Sequence, residues 1–184
     1  MEAAQSAYTP SKQNSFALVP YVKLEQWTVS DESLLCIYRQ MRADGSFKRV
    51  FYEGHIETAE QFLDMLKQPS NTPVVLFIDR EPIGLGWLNS QSGHTAFAHF
   101  CFLSSVWGRQ SLDAGKLLLK YWTSLDAGDG PIFDTLIGVI PKFNTQAICF
   151  AQRVGFTLLG EIPGMGRTGS GERLDNVVLY YARH

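Results

Sequence analysis

What the sequence lacks narrows it first. No stretch approaches about 18 consecutive apolar residues, so none offers a bilayer-spanning helix. The first residues lack the basic-then-apolar pattern of a secretory signal. Neither sign of charge dominates: 16 Lys and Arg against 18 Asp and Glu leave a net −2. A basic field for nucleic acid is therefore missing. Cysteine is scarce. Cys36, Cys101 and Cys149 are odd in number, far apart and outside any CxxC pair. That spacing predicts reduced thiols rather than a disulfide framework or a metal site, and a reducing compartment, the cytoplasm. Internal repeats and low-complexity segments are also missing.

What is there suits one globular domain. The chain has 184 residues and is 45% apolar, enough to bury about 70% of its unfolded surface. Residues 1–15 are small and polar around Pro10 and read as a flexible arm, a possible contact for a protein partner. Residues 16–184 form the predicted domain. Phe16 to Thr28 supplies a first strand, interrupted by Pro20. Ser30 or Asp31 caps a helix bearing Leu34, Leu35, Ile37, Tyr38 and Met41, which Gly45 ends. Phe51-Tyr52-Glu53-Gly54-His55 is a connection that either lines a pocket or forms a surface turn. Thr58 and Gln61 have capping-box spacing ahead of Phe62, Met65 and Leu66.

Strands follow. Val74 to Ile78 and Ile83 to Leu88 flank the turn Asp79-Arg80-Glu81-Pro82, and His94 to Leu103 makes a third. Leu112, Gly115, Leu118 or Leu119, and Trp122 then recur with helical spacing. A strand, a polar turn and a helix start make a natural anion site, because the first-turn N–H groups are unpaired and face the positive end of the dipole. Phe133 to Ile140 reads as a strand covered on both faces. Asn144 caps a helix over Thr145 to Val154, with Gly155 as its stop. Phe156 to Ile162 and Asn176 to Ala182 are the last strands, with a glycine-rich loop from Gly164 to Glu172 between them.

Three motifs in this order carry a resemblance. They are Asn144-Thr145-Gln146-Ala147 running to Gly155-Phe156, the turn from Asp79 to Gly84, and the stretch Gln110-Ser111-Leu112-Asp113-Ala114-Gly115. From about Phe16 onward the chain resembles the GNAT superfamily of N-acetyltransferases. Val106-Trp107-Gly108 is also similar to a subset of GNAT-like proteins of phage genomes. The resemblance implies an α/β fold, a GNAT-type mixed, mainly antiparallel sheet flanked by about four helices. It implies acetyl-CoA as co-substrate, with the acyl group passing to a primary amine by direct attack. The acceptor is then an amine-bearing small molecule or a protein amine, with no metal, nucleic acid or membrane involved. Carried over, Gln110 to Gly115 form a loop for the pyrophosphate, Phe100, Cys101, Phe102 and Leu103 run beside the pantetheine, and Asn144 lies near it.

Two positions depart from the family pattern. Asp113 stands where the loop's first glycine belongs. A carboxylate about 4 Å from a phosphate costs about 4 kcal/mol at an effective dielectric of 20. A helix N-terminus returns only about 0.3–1 kcal/mol. Either Asp113 repels the cofactor, or it (or Ser111) caps the helix. Ala151 occupies the place of a tyrosine that often protonates the leaving thiolate. Tyr180 or Tyr181 is the replacement on the last strand, unless both simply pack there. For the base, or a residue that positions water, His99 on the fourth strand and Glu53 are the candidates. A packed core histidine is the plainer role for His99. Cys101 as an acyl-carrying nucleophile lacks a neighbour in sequence that would lower its pKa. The competing reading is a catalytically degenerate GNAT-fold protein, an assembly or interaction component related to phage particles. It gains if Asp113 fills the anion site and Phe100 or Phe102 plugs the gap between strands.

Overall fold

Asp79 and Arg80 turn the chain back on itself with positive φ of 50° and 75°. That geometry matches the right-handed twist of the strands on either side. The computed structural model describes residues 15–183; the arm over residues 1–15 lies outside them, save for Ser15. The strands of this hairpin are β2 (Thr72–Ile78) and β3 (Glu81–Ser92). They join β1 (Phe16–Pro20), β4 (Thr95–Phe102), β5 (Thr135–Pro141), β6 (Thr157–Arg167) and β7 (Arg173–Ala182). The order across the seven-stranded sheet is β1-β2-β3-β4-β5-β7-β6.

All pairings are antiparallel except β4 with β5. That parallel pairing is short. Thr95, Ala96 and Phe97 lie opposite Thr135, Leu136 and Ile137, and there the ladder stops. Beyond it, β4 continues to Phe102 and β5 to Pro141 with no pairing between them. The sheet therefore opens like a V at its centre.

The helices cover both faces. They are α1 (Asp31–Asp44), α2 (Phe47–Val50), α3 (Ala59–Lys67), α4 (Arg109–Ser124) and α5 (Thr145–Val154). Their ends follow local chemistry. Ser30 accepts from the Ser33 N–H, and Gly45 closes α1 at φ 76°. Thr58 and Gln61 complete a capping box on α3. Asn144 accepts from the Ala147 N–H and starts α5. Alternation along β4 divides the core. Ala96, Ala98 and Phe102 pack with Leu118 and Trp122 of α4 and Val154 of α5. Cys101 packs with Leu34, Ile37 and Met41 of α1 and Phe62 of α3.

Several boundaries differ from the sequence reading. The short helix α2 was not anticipated; four residues are too few for a periodic signal. The first strand ends at Pro20, well before Thr28. The strand β6 runs on to Arg167, accommodating its glycines through a register irregularity between Ile162 and Gly166. The loop after it is correspondingly short. Gln110 to Gly115 is not a loop: every one of these residues is inside α4, which begins at Arg109.

Candidate functional site

A cavity of about 880 Å³ occupies the V and continues under the segment that links α2 to α3. Its size is that of sites that bury a cofactor or a drug-sized ligand. One lip is β4, from Ala98 to Phe102. The other is β5, from Gly138 to Pro141, with Asn144, Ala147 and Ala151 of α5 behind it. Past Phe97, the backbone edge of β4 that faces β5 has no strand to bond to. Such groups need partners from elsewhere.

The start of α4 opens on this cavity. Gly108 is the N-cap, at φ 102° and ψ −129°, and no side chain caps the helix. The first helical bond runs from the Leu112 N–H to the Gly108 carbonyl at 3.2 Å. The N–H groups of Arg109, Gln110 and Ser111 therefore have no intrahelical acceptor. Trp107, Gly108, Ser111 and Leu112 border the cavity. Ser111 is buried, and its hydroxyl donates to the Gly108 carbonyl at 3.1 Å.

Neither role expected of Asp113 is observed. It lies one turn into the helix, half-exposed and outside the cavity wall, 3.7 Å from the Arg109 guanidinium. It makes no capping bond to the helix start. Gln110, Ala114 and Gly115 also stand outside the wall. Ala114 is core. Gly115 serves packing, since a Cβ there would lie 2.7 Å from the Phe150 ring of α5. The expected result for Asp113→Gly is unchanged acetyl-CoA affinity in calorimetry, with a stability loss of only about 0.3–0.5 kcal/mol, because aspartate is itself a weak helix former.

The aromatics of β4 floor the gap rather than plug it. Phe100 meets Trp122, Phe150 and Phe156 at 5.5, 5.6 and 6.1 Å between ring centres. Phe102 meets Phe150 at 5.5 Å. Both still border the cavity, whereas Leu103 lies in the core outside its wall. Cys101 reaches the wall, but its thiol is buried and donates to the Met41 thioether. Burial, with the nearby Asp44 carboxylate, pushes the thiol pKa well up. A thiol held protonated is a poor nucleophile.

His99 borders the cavity on the face toward α1. Its ring stacks on Trp87 at 4.7 Å, and Phe51 is stacked with Trp87 at 6.1 Å. Nε2 lies 3.1 Å from the Asn89 Oδ1. With that oxygen as acceptor, Nε2 carries the proton and Nδ1 holds the lone pair. Burial pushes the imidazole pKa down to about 4. Glu53 borders the same cavity at its mouth, half-exposed, 3.6 Å from His55. Tyr180 does not meet them. It is on β7 opposite Ile137 and Thr157, partly exposed, and outside the wall. Tyr181 packs against Phe156 at 5.8 Å.

The Phe51 to His55 connection lines the cavity, one of the two alternatives read from the sequence, while the contact made by Arg49 was not singled out there. Tyr52 borders the cavity and its hydroxyl accepts from the Asn176 amide at 3.5 Å. Burial is the main cause raising its pKa. Arg49 of α2 bonds Gln146 of α5, spanning the V. The same strap is tied a second time, because the Gly169 N–H donates to the Tyr52 carbonyl at 3.1 Å. These pairs are 97 and 117 residues apart in sequence, so no local pattern announces them. Among the described residues, no group of three or more His, Cys, Asp and Glu is placed to hold a metal. No helix there is long and apolar enough to cross a membrane.

Solved structures share this overall fold. A probable GNAT-family acetyltransferase from Chromobacterium violaceum superposes with a TM-score of 0.71 at 14% identity, covering 99% of this chain and 96% of its own. The fold is the GNAT acetyltransferase fold. The microcin C7 self-immunity acetyltransferase MccE, solved with acetyl-CoA and AMP, gives 0.70 at 16% identity, with 95% and 98% covered. The spermidine N-acetyltransferase of Vibrio cholerae, solved with CoA and spermine, gives 0.67 at 12% identity, with 94% and 96% covered. No family model matches the chain, and no curated protein matches it in sequence. None of these GNAT-fold neighbours points to a phage particle.

Proposed function

We propose that the protein is an acyl-CoA-dependent N-acyltransferase, moving an acetyl group to a primary amine by direct attack. One observation carries this reading: an uncapped helix start opens on the gap between splayed β4 and β5. The residues present fit acetyl-CoA. The N–H groups of Arg109, Gln110 and Ser111 suit a pyrophosphate. The edge of β4 that no strand pairs suits the amides of a pantetheine arm up to Phe102, whose carbonyl accepts from the Trp107 indole at 3.0 Å, with Asn144 and Ala147 on the opposite lip. Acetyl-CoA supplies an activated thioester. In the net reaction a C–N bond forms, a C–S bond breaks, one proton leaves nitrogen and one reaches sulfur.

The chain's own groups can manage those protons. Nδ1 of His99 is unprotonated at any pH above about 4 and offers a lone pair to an incoming N–H, directly or through water. Glu53 at the mouth is placed to draw in an amine. Ala151, in the wall, has no proton to give. Tyr52 does, and its raised pKa keeps the hydroxyl protonated at neutral pH. Tyr52 takes the donor role that Tyr180, outside the wall, is not placed to take. Tyr52→Phe should lower kcat by roughly a hundredfold and leave acetyl-CoA affinity unchanged. Stopped-flow turnover beside calorimetry separates the two effects.

The competing reading, a degenerate assembly component, gains if Asp113 fills the helix start and Phe100 or Phe102 plugs the gap. Neither supports it here. The deciding test is calorimetry of acetyl-CoA on the purified chain, followed by release of free CoA in the presence of amines. Micromolar binding with amine-dependent release is expected. Absence of binding would end the proposal.

A further inference from the structure

The acceptor half of the cavity is short of charge. On the side toward α1 and α3 the polar part of its wall includes Gln68, Ser70, Asn71, Asn89 and Ser90. All of these are neutral amides and hydroxyls. Beside them stand the stacked rings of Phe51, Trp87 and His99. The titratable groups bordering the cavity, among the described residues, are Arg49, Tyr52, Glu53, His55, His99, Cys101, Cys149 and Arg153. Glu53 is the sole carboxylate in that set. It sits at the mouth, half-exposed and engaged with His55. Around His99, β3 contributes Trp87 and Asn89, neither of them charged. On β4 itself the neighbour on the same face is Cys101, whose thiol stays protonated.

An ammonium entering this wall finds no buried counter-charge, and burying an unpaired charge is expensive. Nor does the wall hold a base strong enough to strip an alkylammonium, since burial holds His99 near 4. The amine must therefore arrive neutral. At pH 7.5 a lysine-type amine, pKa about 10.4, is neutral in about one molecule per thousand. An α-amine, pKa about 7.7–8.0, is neutral in roughly one of three.

We infer that the acceptor is an α-amine of the amino-acid amide or peptide N-terminal type, carried on an uncharged, apolar or aromatic body. The inference rests on the N-acyltransferase reading for the same site. The neutral amides of Gln68, Asn71 and Asn89 match the hydrogen-bonding of a carboxamide or peptide group. The aromatic wall suits an apolar side chain. A polyamine would leave its distal ammonium groups without partners.

The test is calorimetry on the full chain saturated with CoA, between pH 6 and 9. The probes are phenylalaninamide, 2-phenylethylamine, spermidine and a Phe-Ala-Ala-Ala amide. Phenylalaninamide affinity should rise about tenfold per pH unit and level off near pH 8. At pH 7.5, 2-phenylethylamine should bind at least tenfold more weakly and keep gaining to pH 9 without levelling off. Spermidine should bind weakest. The peptide amide separates the two sources: tighter binding than phenylalaninamide assigns a chain terminus, weaker binding a free amino-acid amide. Asn89→Asp, which places a carboxylate in the wall, should raise 2-phenylethylamine affinity at pH 7 at least tenfold. Affinity that falls or stays flat with rising pH overturns the inference. So does a preference for spermidine, or no binding of either α-amine. Acetyl transfer is read separately. The expected binding order without transfer would sink the acyltransferase reading and uphold the acceptor preference. Efficient transfer to spermidine would do the reverse.

Discussion

Ser111→Asp should lose acetyl-CoA affinity by about a thousandfold while the fold remains intact. Ser111 is the third residue of α4, and an acidic side chain in a first helical turn is favoured by the dipole, typically by about 0.3–1 kcal/mol. The same carboxylate would occupy the N–H groups proposed for the pyrophosphate. Two unit charges about 4 Å apart repel by about 4 kcal/mol at an effective dielectric of 20, which is about three decades of affinity. Ser111→Asn supplies similar bulk without the charge and should lose less than about tenfold. Calorimetry on both variants, with thermal melts alongside, separates charge from shape. Equal affinity for wild type and Ser111→Asp would remove the helix start from the binding site. The contrast with Asp113 is instructive. Two positions along the helix and turned outward, Asp113 is bound to Arg109 and brings no comparable penalty.

Gly86→Val should destabilise the protein by about 3 kcal/mol, the upper part of the usual range for overpacking. Gly86 lies in β3 directly beneath α4. A Cβ there would lie 2.9 Å from the Trp122 ring and would also strike Leu118. Both are fully buried and have no room to withdraw. For a chain of this size the expected fall in Tm is roughly 6–12 °C. The strain acts on α4, whose start is the proposed pyrophosphate site, so acetyl-CoA affinity should fall with it. A variant that melts like wild type would mean that α4 is not seated as described.

The legibility of the sequence followed the range of each interaction. The caps at Ser30, Gly45, Thr58 and Asn144 were readable because each depends on residues within one turn of itself. The Asp79-Arg80 hairpin and the fold class were readable for the same reason, reinforced by motif order. The start of α4 was misplaced. Its N-cap is a glycine, which leaves no capping side chain as a marker, and the helical period that began at Leu112 extends upstream through polar residues. The orientation of Asp113 was settled by Arg109, one turn earlier, a pairing that spacing permitted but did not demand. His99, Glu53, Phe100 and Asn144 are brought to one cavity, while Tyr180 is left on the far side of β7. The Tyr52 connection was readable as a pocket lining or a surface turn, but its bond to Asn176 and the Arg49–Gln146 strap escaped notice because only the folded chain brings those segments together.

The three-residue ladder between β4 and β5 has a mechanical consequence. It divides the sheet into two blocks, β1 to β4 and β5 to β7, joined along a seam shorter than any other pairing in the sheet. Amide protons at the inner ends of β4 and β5 should therefore exchange with solvent ahead of those in β2, β3 and β7, whose ladders are long. A ligand that grips both lips of the seam would mend it. Its signature would be two blocks that open separately in the empty protein and open as one when the ligand is bound.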